Sequence, residues 1–183
     1  MSETARSDAL ARIGVLVISD RASRGIYQDL SGPAISAFLS RTVQSNWIAI
    51  AKIVADGVES VVGALKELVD HEGCDLVLTS GGTGPAPRDL TPEATLAVID
   101  RELAGFGELM RRVSLGQVPT AILSRQTAGT RGRCLIVNLP GRPQAIEVCL
   151  NAVFPAVPYC LDLIGARRIE VNPDACLAFR PGA

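Results

Sequence analysis

Aromatic residues and net charge are both scarce in this sequence. Aromatic side chains make up 4% of the 183 residues, and 18 basic residues nearly cancel 19 acidic ones, which leaves a formal net charge of −1. A nucleic-acid-binding surface usually needs a basic patch that attracts phosphates and aromatic rings on which bases stack. The composition therefore predicts that nucleic acid is not a partner of this protein.

The sequence also has few of the residues that build nucleophilic or metal sites. His71 is the one histidine, and none of the five cysteines stands in C-x-x-C spacing with another. A Ser-His-Asp triad needs a well-placed histidine, whereas zinc sites and redox dithiols usually need closely spaced cysteines. We therefore expect reduced, mostly buried thiols, as is typical of a cytoplasmic protein.

A long apolar run and a targeting signal are missing as well. Residues 1–12 are polar and of mixed charge, unlike a signal peptide, and no uninterrupted apolar stretch reaches the roughly 18 residues of a membrane span. We therefore expect a soluble, cytoplasmic protein with no membrane partner. The length favours a single domain, which we place at residues 12–166, between a flexible N-terminal tail at 1–11 and an irregular C-terminal tail at 167–183.

Apolar runs and helix-period patterns alternate along the chain. A continuous apolar run at 13–18 predicts a strand that is buried on both faces, and further strands are predicted at 47–54, which only Lys52 interrupts, and at 75–80. Shorter strands are predicted at 121–123 and 134–137. The predicted helical stretches begin near Pro33, Val58, Thr91, Gly105 and Pro143. This alternation predicts an α/β fold, a three-layer α/β/α sandwich around a mostly parallel sheet with an antiparallel edge strand.

Polar residues and glycines gather directly after the predicted strands. Ser19 and Asp20 follow the first strand, Asp56 the second, residues 81–89 the third, and residues 138–141 the last. In an open parallel sheet the carboxyl ends of the strands meet at one edge, where ligands bind. The sequence therefore predicts one composite site at that edge.

The third strand ends in the glycine-rich segment Gly81-Gly82-Thr83-Gly84. Glycines allow backbone N–H groups to turn toward an anion, and a helix start that follows adds a favourable dipole. Phosphate binding is the favoured interpretation, and a tight turn with positive φ is the alternative. The Walker A and dinucleotide fingerprints both fail, because no G-K-[ST] run exists and Pro87 stands where the second needs glycine or alanine.

Two acidic residues near this segment suggest a metal site. Asp89 lies beside Arg88, which could bind phosphate, and Asp56 follows a neighbouring strand. A carboxylate beside a phosphate is repelled unless a cation lies between them, so Asp56 and Asp89 could share Mg²⁺. The alternative for Asp56 is a helix cap, since Glu59 stands in capping-box spacing. The alternative for Asp89 is a loop acid near Thr91, the predicted cap of the next helix.

The missing nucleophile and base favour one class of enzyme. Phosphoryl and nucleotidyl transfer can proceed by positioning and electrostatic stabilisation alone. A nicotinamide-dependent oxidoreductase is disfavoured, because its glycine fingerprint would follow the first strand. The composition and motifs thus favour a nucleotidyl or phosphoryl transferase.

Several short motifs then stand in a distinctive order along residues 13–164. They are Ile18-Ser19-Asp20-Arg21, Ser80-Gly81-Gly82-Thr83-Gly84, Arg88-Asp89, Thr91-Pro92-Glu93-Ala94-Thr95, Gly105-Phe106-Gly107-Glu108, Leu123-Ser124-Arg125-Gln126 and Asn138-Leu139-Pro140-Gly141. This ordered set resembles the molybdopterin adenylyltransferase family, which includes MogA, MoaB and the gephyrin G domain. The run 119–126, with 157–160, is most similar to the bacterial MogA branch.

The resemblance implies a molybdopterin-binding-like fold and a reaction in molybdenum cofactor biosynthesis. ATP and molybdopterin would give adenylyl-molybdopterin and pyrophosphate, with the terminal phosphate of the pterin attacking the α-phosphate of ATP. Mg²⁺ would neutralise the phosphates, and Asp56 and Asp89 would be the catalytic, metal-binding acids. The family is typically trimeric, and its product passes to a molybdenum insertase.

The same resemblance implies roles for the other candidate residues. Gly82, Thr83 and Gly84 would bind a phosphate, and the neighbouring Gly81 and Arg88 are also predicted to bind substrate or nucleotide. The remaining contacts implied are Ser19 and Asp20 near the nucleotide, and Ser124, Asn138, Pro140 and Gly141 near the pterin and its phosphate.

Two other functions within the same fold are considered. A non-catalytic molybdopterin carrier or scaffold would bind molybdopterin without releasing pyrophosphate, but loss of either acid would have favoured it, and both acids are present. The insertase of the same pathway would need additional domains, for which 183 residues leave no room. The enzyme is therefore preferred.

Overall fold

A six-stranded sheet forms the centre of the protein in the computed structural model, which describes residues 10–182. The strands, in the spatial order β2-β1-β3-β6-β5-β4, are β1 (Ala11–Ile18), β2 (Trp47–Val54), β3 (Leu76–Ser80), β4 (Arg101–Glu102), β5 (Ala128–Arg131) and β6 (Cys134–Leu139). β1, β2, β3 and β6 run parallel, whereas β5 lies antiparallel to β6 and to β4. The predicted mostly parallel sheet is confirmed.

Helices cover both faces of this sheet. They are α1 (Asp20–Ser23), α2 (Ser31–Thr42), α3 (Val58–Lys66), α4 (Thr91–Leu96), α5 (Ala104–Leu115), α6 (Pro143–Val153) and α7 (Val157–Leu163). Side chains of β1 alternate between two cores: Ile13 and Val15 pack in the core that α2 and α6 cover, and Leu16 and Ile18 pack in the core that α3 covers. This alternation produces the three predicted layers.

An antiparallel hairpin lies in the predicted region 121–137, but its first strand is β5 and not the predicted strand 121–123. Residues 121–123 do not form a strand, because the 3-10 helix Pro119–Leu123 occupies this segment and leaves Ile122 68% exposed. The strand beside β6 is β5, and Gly132 lies in the tight turn between them with a φ of 54°. The prediction of a strand at 121–123 is wrong because the turn at Gly132 and the pairing with β6, rather than apolar composition alone, decide which segment becomes the strand beside β6.

Pro143–Leu163 is the one segment within residues 10–182 that is long and apolar enough for a membrane span, with a mean hydropathy of 1.4. It is not a single straight helix, since the 3-10 turn Phe154–Ala156 separates α6 from α7. Ile146, Cys149 and Leu150 are fully buried in the core of the protein. The segment therefore has the pattern of a core helix, and its length and composition are weak evidence for a membrane span.

The chain after α7 is tied to the amino-terminal edge of the sheet. Ile169 is fully buried, and Val171 forms an isolated bridge with Val43. The backbone N–H of Arg167 donates to a carboxylate oxygen of the buried Asp75 at 2.9 Å. The domain and tail boundaries stay predictions, and residues 1–9 of the predicted N-terminal tail 1–11 lie outside the described residues. Ala11, the last residue of that tail, is the first residue of β1 and is buried.

The five cysteines are free thiols, and four of them are buried. Burial raises the pKa of the Cys74 thiol to about 11 and holds the pKa of Cys134 well above its ordinary value. Thiols with raised pKa values are poor nucleophiles at neutral pH. The interpretation of the cysteines as structural residues agrees with this placement.

Gly107 allows α5 to pack closely against the backbone at Gln126. We expect Gly107→Ala to lower the free energy of unfolding by about 2 kcal/mol. A Cβ on Gly107 would overlap the carbonyl oxygen of Gln126, to which Arg111 Nη1 also donates at 2.8 Å. Gly105, in the same helix, has open space at its Cβ position. Gly105→Ala is therefore the matched control, with an expected change of less than about 0.5 kcal/mol. Urea denaturation measures both, and equal midpoints for the two variants would contradict the close contact.

Candidate active site

The loops that follow β1, β2, β3 and β6 meet at one edge of the sheet. The N–H of Ser19, after β1, donates to the carbonyl of Val54 at the end of β2 at 2.9 Å. The hydroxyl of Ser80, at the end of β3, donates to the carbonyl of Pro140, after β6, at 3.0 Å. The four predicted segments therefore share one edge, as the parallel topology requires.

Two left-handed glycines open the glycine loop, which we define as residues 81–90. Gly81 has a φ of 105° and Gly82 a φ of 62°. A Cβ on Gly81 would overlap the carbonyl oxygen of Ile18, and a Cβ on Gly82 would overlap the hydroxyl of Thr91. Both positions require glycine, because the loop crosses directly over the end of β1.

Thr91 closes the glycine loop and does not cap α4. Its hydroxyl donates to the carbonyl of Gly81 at 2.8 Å, and its N–H donates to the carbonyl of Gly82 at 3.0 Å. The cap position of α4 belongs to Leu90, which makes no side-chain cap hydrogen bond. The predicted cap at Thr91 is therefore wrong, because the hydroxyl is used by a loop carbonyl that the sequence pattern does not reveal.

The glycine loop holds a row of free backbone donors. Within residues 10–182, none of the N–H groups of Gly82, Thr83 and Gly84 has a hydrogen-bond acceptor. Consecutive free N–H groups at the end of a buried strand form a binding place for an anion. Phosphate binding by Gly82, Thr83 and Gly84 stays a prediction, and these free donors are compatible with it.

Asp20 and Asp56 form a reciprocal pair across two loops. The N–H of Asp20 donates to Oδ2 of Asp56 at 3.0 Å, and the N–H of Asp56 donates to Oδ1 of Asp20 at 3.2 Å. The cap of α3 is Gly57, without a side-chain cap hydrogen bond, so the helix-cap interpretation of Asp56 is wrong. Spacing could not reveal this pairing, because the partner of Asp56 is far away in the sequence. The side chain of Ser19, in turn, caps α1.

Asp89 lies in the glycine loop, and among the described residues it shares no hydrogen bond with this pair. Its Oδ2 accepts a hydrogen bond from the N–H of Ala86 at 3.1 Å, and the neighbouring Arg88 is exposed. The hydrogen bonds of the described residues do not join Asp89 to Asp56, and no three His, Cys, Asp or Glu side chains of residues 10–182 cluster as metal ligands. A shared Mg²⁺ between Asp56 and Asp89 therefore stays a prediction.

No ion pair in the described part of the chain includes Asp20, Asp56 or Asp89. The second carboxylate oxygen of Asp20 and that of Asp56 have no hydrogen-bond donor among residues 10–182 either. Carboxylates without a cationic partner make the local potential negative. This side of the site therefore favours a cation, whereas the free N–H groups favour an anion.

Asn138 lies beneath the site and not on its surface. Its side chain is fully buried, and Nδ2 donates to the hydroxyls of Thr79 at 3.1 Å and of Thr95 at 2.9 Å. These bonds join β6 to β3 and to α4. The predicted contact of Asn138 with the pterin thus has no exposed side-chain atom in this structure.

The other residues predicted to contact the pterin lie at the same edge of the sheet. The carbonyl of Pro140 accepts from Ser80, and the carbonyl of Gly141 accepts from the Ser31 hydroxyl at 2.8 Å. Ser31 begins α2 and was not among the residues predicted from the sequence. Ser124 lies after the 3-10 helix, and its hydroxyl donates to Oε1 of Gln126 at 2.7 Å. No sequence motif marks Ser31, because its contact with Gly141 forms only when the chain has folded.

Arg125 is a second residue for which the sequence predicted no role. Its backbone N–H donates to the carbonyl of Thr83, and its guanidinium donates to the carbonyls of Gly84 and Asp89. It also pairs with Glu93, and this hydrogen bond lowers the pKa of the Glu93 carboxyl against the opposing effect of burial. A cleft of about 250 Å³ lies beside these residues, with Arg111 and Glu102 in its wall. The motif around Arg125 was visible in the sequence, but the acceptors of its guanidinium were not.

Comparison with known proteins identifies the family. A family model described as a probable molybdopterin binding domain matches residues 14–159. The chain is 56% identical over 169 residues to a molybdopterin adenylyltransferase of Helicobacter pylori, an alignment that covers 92% of this chain and 96% of that protein. The chain belongs to the molybdopterin adenylyltransferase family. The molybdopterin adenylyltransferase of Escherichia coli K12 is 46% identical over 182 residues, with 93% of each chain covered.

A solved structure agrees with this membership in the molybdopterin adenylyltransferase family. The crystal structure of the molybdopterin biosynthesis enzyme MoaB from Thermus thermophilus superposes with a TM-score of 0.77 at 45% sequence identity. The match covers 85% of this chain and 96% of that chain. The resemblance and the fold class that the motifs predicted are both confirmed.

Proposed function

We propose that this protein transfers the adenylyl group of ATP to molybdopterin, within molybdenum cofactor biosynthesis. The observation that carries the proposal is the row of free N–H groups at Gly82, Thr83 and Gly84, beside carboxylates without ion-pair partners. This arrangement suits a nucleoside triphosphate with its bound cation better than an uncharged substrate. Membership in the molybdopterin adenylyltransferase family supports the second substrate.

The proposed reaction needs no nucleophile from the protein. An oxygen of the terminal phosphate of molybdopterin attacks the α-phosphorus of ATP, and the bond from that phosphorus to the oxygen bridging to the β-phosphate breaks. Pyrophosphate leaves with the electron pair, and adenylyl-molybdopterin remains. The protein holds the phosphate of molybdopterin in line with the α-phosphate of ATP and stabilises the negative charge that develops on the phosphate oxygens. Phosphoryl-transfer enzymes generally act in this way.

The residues divide between the two substrates by their place at the sheet edge. We assign the backbone N–H groups of the glycine loop, with Arg88, to the phosphates of ATP, and Ser19 and Asp20 to the nucleotide. The loop after β6, with Pro140 and Gly141, and the hydroxyl of Ser124 are assigned to the pterin and its phosphate. Asn138 acts through the positions of β6 and α4, because its side chain is buried.

The acidic residues fit Mg²⁺ by their chemistry. Oxygen ligands from one or two carboxylates, completed by substrate phosphates, are the usual protein environment of this ion. Asp20 and Asp56 each keep one oxygen without a donor among residues 10–182, and Asp89 would approach from the glycine loop. Bound there, Mg²⁺ supplies charge neutralisation between the carboxylates and the phosphates.

Three further features belong to the same proposal. We propose that the protein acts in the cytoplasm as a homotrimer and passes its product to a molybdenum insertase. Large exposed apolar side chains, among them Leu163, Leu177 and Phe179, are consistent with a subunit interface. The free thiols and their burial are consistent with a reducing compartment.

Pyrophosphate release tests the proposed reaction. The purified protein is incubated with ATP and Mg²⁺, with and without molybdopterin, and pyrophosphate is measured over time. We expect release that depends on molybdopterin and that stops when Mg²⁺ is chelated. A control without protein corrects for spontaneous hydrolysis of ATP.

The opposite result identifies the carrier or scaffold. Molybdopterin binding, shown by equilibrium dialysis, without release of pyrophosphate from ATP would replace the enzyme by a binding protein of the same fold. Release of pyrophosphate that does not depend on molybdopterin would mean a different acceptor for the adenylyl group.

A further inference from the structure

Arg125 makes an unusual set of contacts with the glycine loop. Its Nε donates to the carbonyl of Gly84 at 2.9 Å, one Nη donates to the carbonyl of Asp89, and the other pairs with the carboxylate of Glu93. Its backbone N–H adds a bond to the carbonyl of Thr83 at 2.9 Å. A single residue therefore contacts the beginning, the end and the following helix of the loop.

The rest of the described chain forms few other hydrogen bonds with the glycine loop. We consider the hydrogen bonds that join residues 82–93 to the rest of the described chain, residues 10–182, leaving out bonds to Gly81 and the backbone bonds that continue α4. All of these bonds come from Arg125. The bonds of Ala86 with Asp89 and of Thr91 with Gly81 and Gly82 lie within that segment. A loop with few outside ties opens readily unless one contact holds it.

We propose that Arg125 is a positioning residue, which holds the glycine loop in the conformation in which its free N–H groups converge on a phosphate. Arg125 bridges the two ends of the loop with a planar guanidinium, whose donors point in fixed directions. With these donors on Gly84, Asp89 and Glu93, the guanidinium acts through the loop and not on the substrate. The claim that this loop conformation binds phosphate rests on the proposed function. The claim that Arg125 fixes the loop conformation does not depend on it.

Lysine cannot replace this contact. Its ammonium is a compact charge that cannot span the three acceptors that the guanidinium reaches. Arg125→Lys keeps the positive charge near Glu93 and keeps the backbone bond to Thr83, and it removes the bridge between Gly84 and Asp89. The variant therefore separates the effect of charge from the effect of the planar fork.

Hydrogen exchange and kinetics test the proposal together. In Arg125→Lys we expect exchange of the three hydrogen-bonded loop amides, those of Ala86, Asp89 and Thr91, to rise at least about tenfold, since the loop opens more often. We expect kcat for molybdopterin-dependent pyrophosphate release to fall about tenfold and the KM values for both substrates to change less than about threefold. The matched control is Arg131→Lys, because Arg131 also spreads its guanidinium over a carboxylate and a carbonyl, those of Asp70 and Val98.

The outcomes separate this proposal from the others. Unchanged exchange of the amides of Ala86, Asp89 and Thr91, or faster exchange with an unchanged kcat, would overturn it. A raised KM for ATP with an unchanged kcat would mean that Arg125 contacts the substrate. An equal loss of kcat in Arg131→Lys would indicate general destabilisation, which thermal denaturation of both variants would also reveal. If the wild-type protein releases no pyrophosphate, the proposed function fails, and the exchange data alone decide whether Arg125 holds the loop.

Discussion

Asp56→Asn is expected to slow molybdopterin-dependent pyrophosphate release about a hundredfold while the fold stays intact. The amide oxygen of asparagine can still accept the hydrogen bond that Asp56 Oδ2 accepts from the N–H of Asp20. The substitution therefore removes the negative charge and keeps the contact. Loss of that charge weakens the binding of the cation that we propose to neutralise the phosphates. Steady-state kinetics at increasing Mg²⁺ concentrations measures the effect, and added Mg²⁺ should restore part of the activity.

Asp100→Asn is the matched control for this variant. Asp100 also accepts a hydrogen bond from a backbone N–H, that of Gly132 at 2.6 Å, at the turn between β5 and β6. It should lose less than about twofold of activity. Asp89→Asn is expected to act in the same direction as Asp56→Asn, since the amide can keep the bond from Ala86. Near-normal turnover in both site variants would refute the metal site at these two acids.

Gly82→Ala is expected to lower activity about a hundredfold and the free energy of unfolding by about 2–3 kcal/mol. The new Cβ would overlap the Thr91 hydroxyl, which itself holds the carbonyl of Gly81. The loop must shift to relieve this overlap, and its free N–H groups then leave the positions that we propose for phosphate binding. The φ of 62° at Gly82 adds a strain of about 1 kcal/mol for alanine. Activity measurements and urea denaturation give the two quantities separately.

Gly73→Ala separates the strain from the overlap. Gly73 has a φ of 63° but open space at its Cβ position, so alanine there carries the same backbone strain without the contact. It should lose about 1 kcal/mol of stability and keep its activity. If Gly82→Ala lowers activity and the free energy of unfolding no more than Gly73→Ala does, the close contact between the glycine loop and Thr91 is not needed for function.

The strands and the site edge were predictable from the sequence because both follow local rules. The sequence specified β1, β2 and β3 within two residues at each end. β1 and β3 lie inside the sheet and are buried on both faces, where few polar side chains are tolerated, whereas β2 lies at the edge of the sheet with alternate side chains exposed. Parallel strands then bring their carboxyl ends together, so that Asp20, Asp56 and Gly81 had to lie at one edge. The glycines were also predictable as a special turn, and Gly81 and Gly82 adopt the positive φ that this interpretation requires.

Other elements depended on partners that spacing does not show. Asp56 and Thr91 have the sequence pattern of helix caps, yet their side chains bond to Asp20 and to Gly81. The apolar triplet 121–123 has the composition of a strand, but the turn at Gly132 gives the place beside β6 to β5. In each case a local preference of about 1 kcal/mol yields to a tertiary contact.

The sequence by itself determined the layered fold, the edge at which the site lies and the family, because apolar periodicity, glycine content and ordered motifs are properties of the chain alone. Only the tertiary structure decided which groups meet at that edge. It buries the side chain of Asn138, pairs Asp20 with Asp56, and brings Arg125 to the glycine loop. The physical reason is that a hydrogen bond depends on distance and direction in space, and residues far apart in sequence acquire both only when the sheet and its helices have packed.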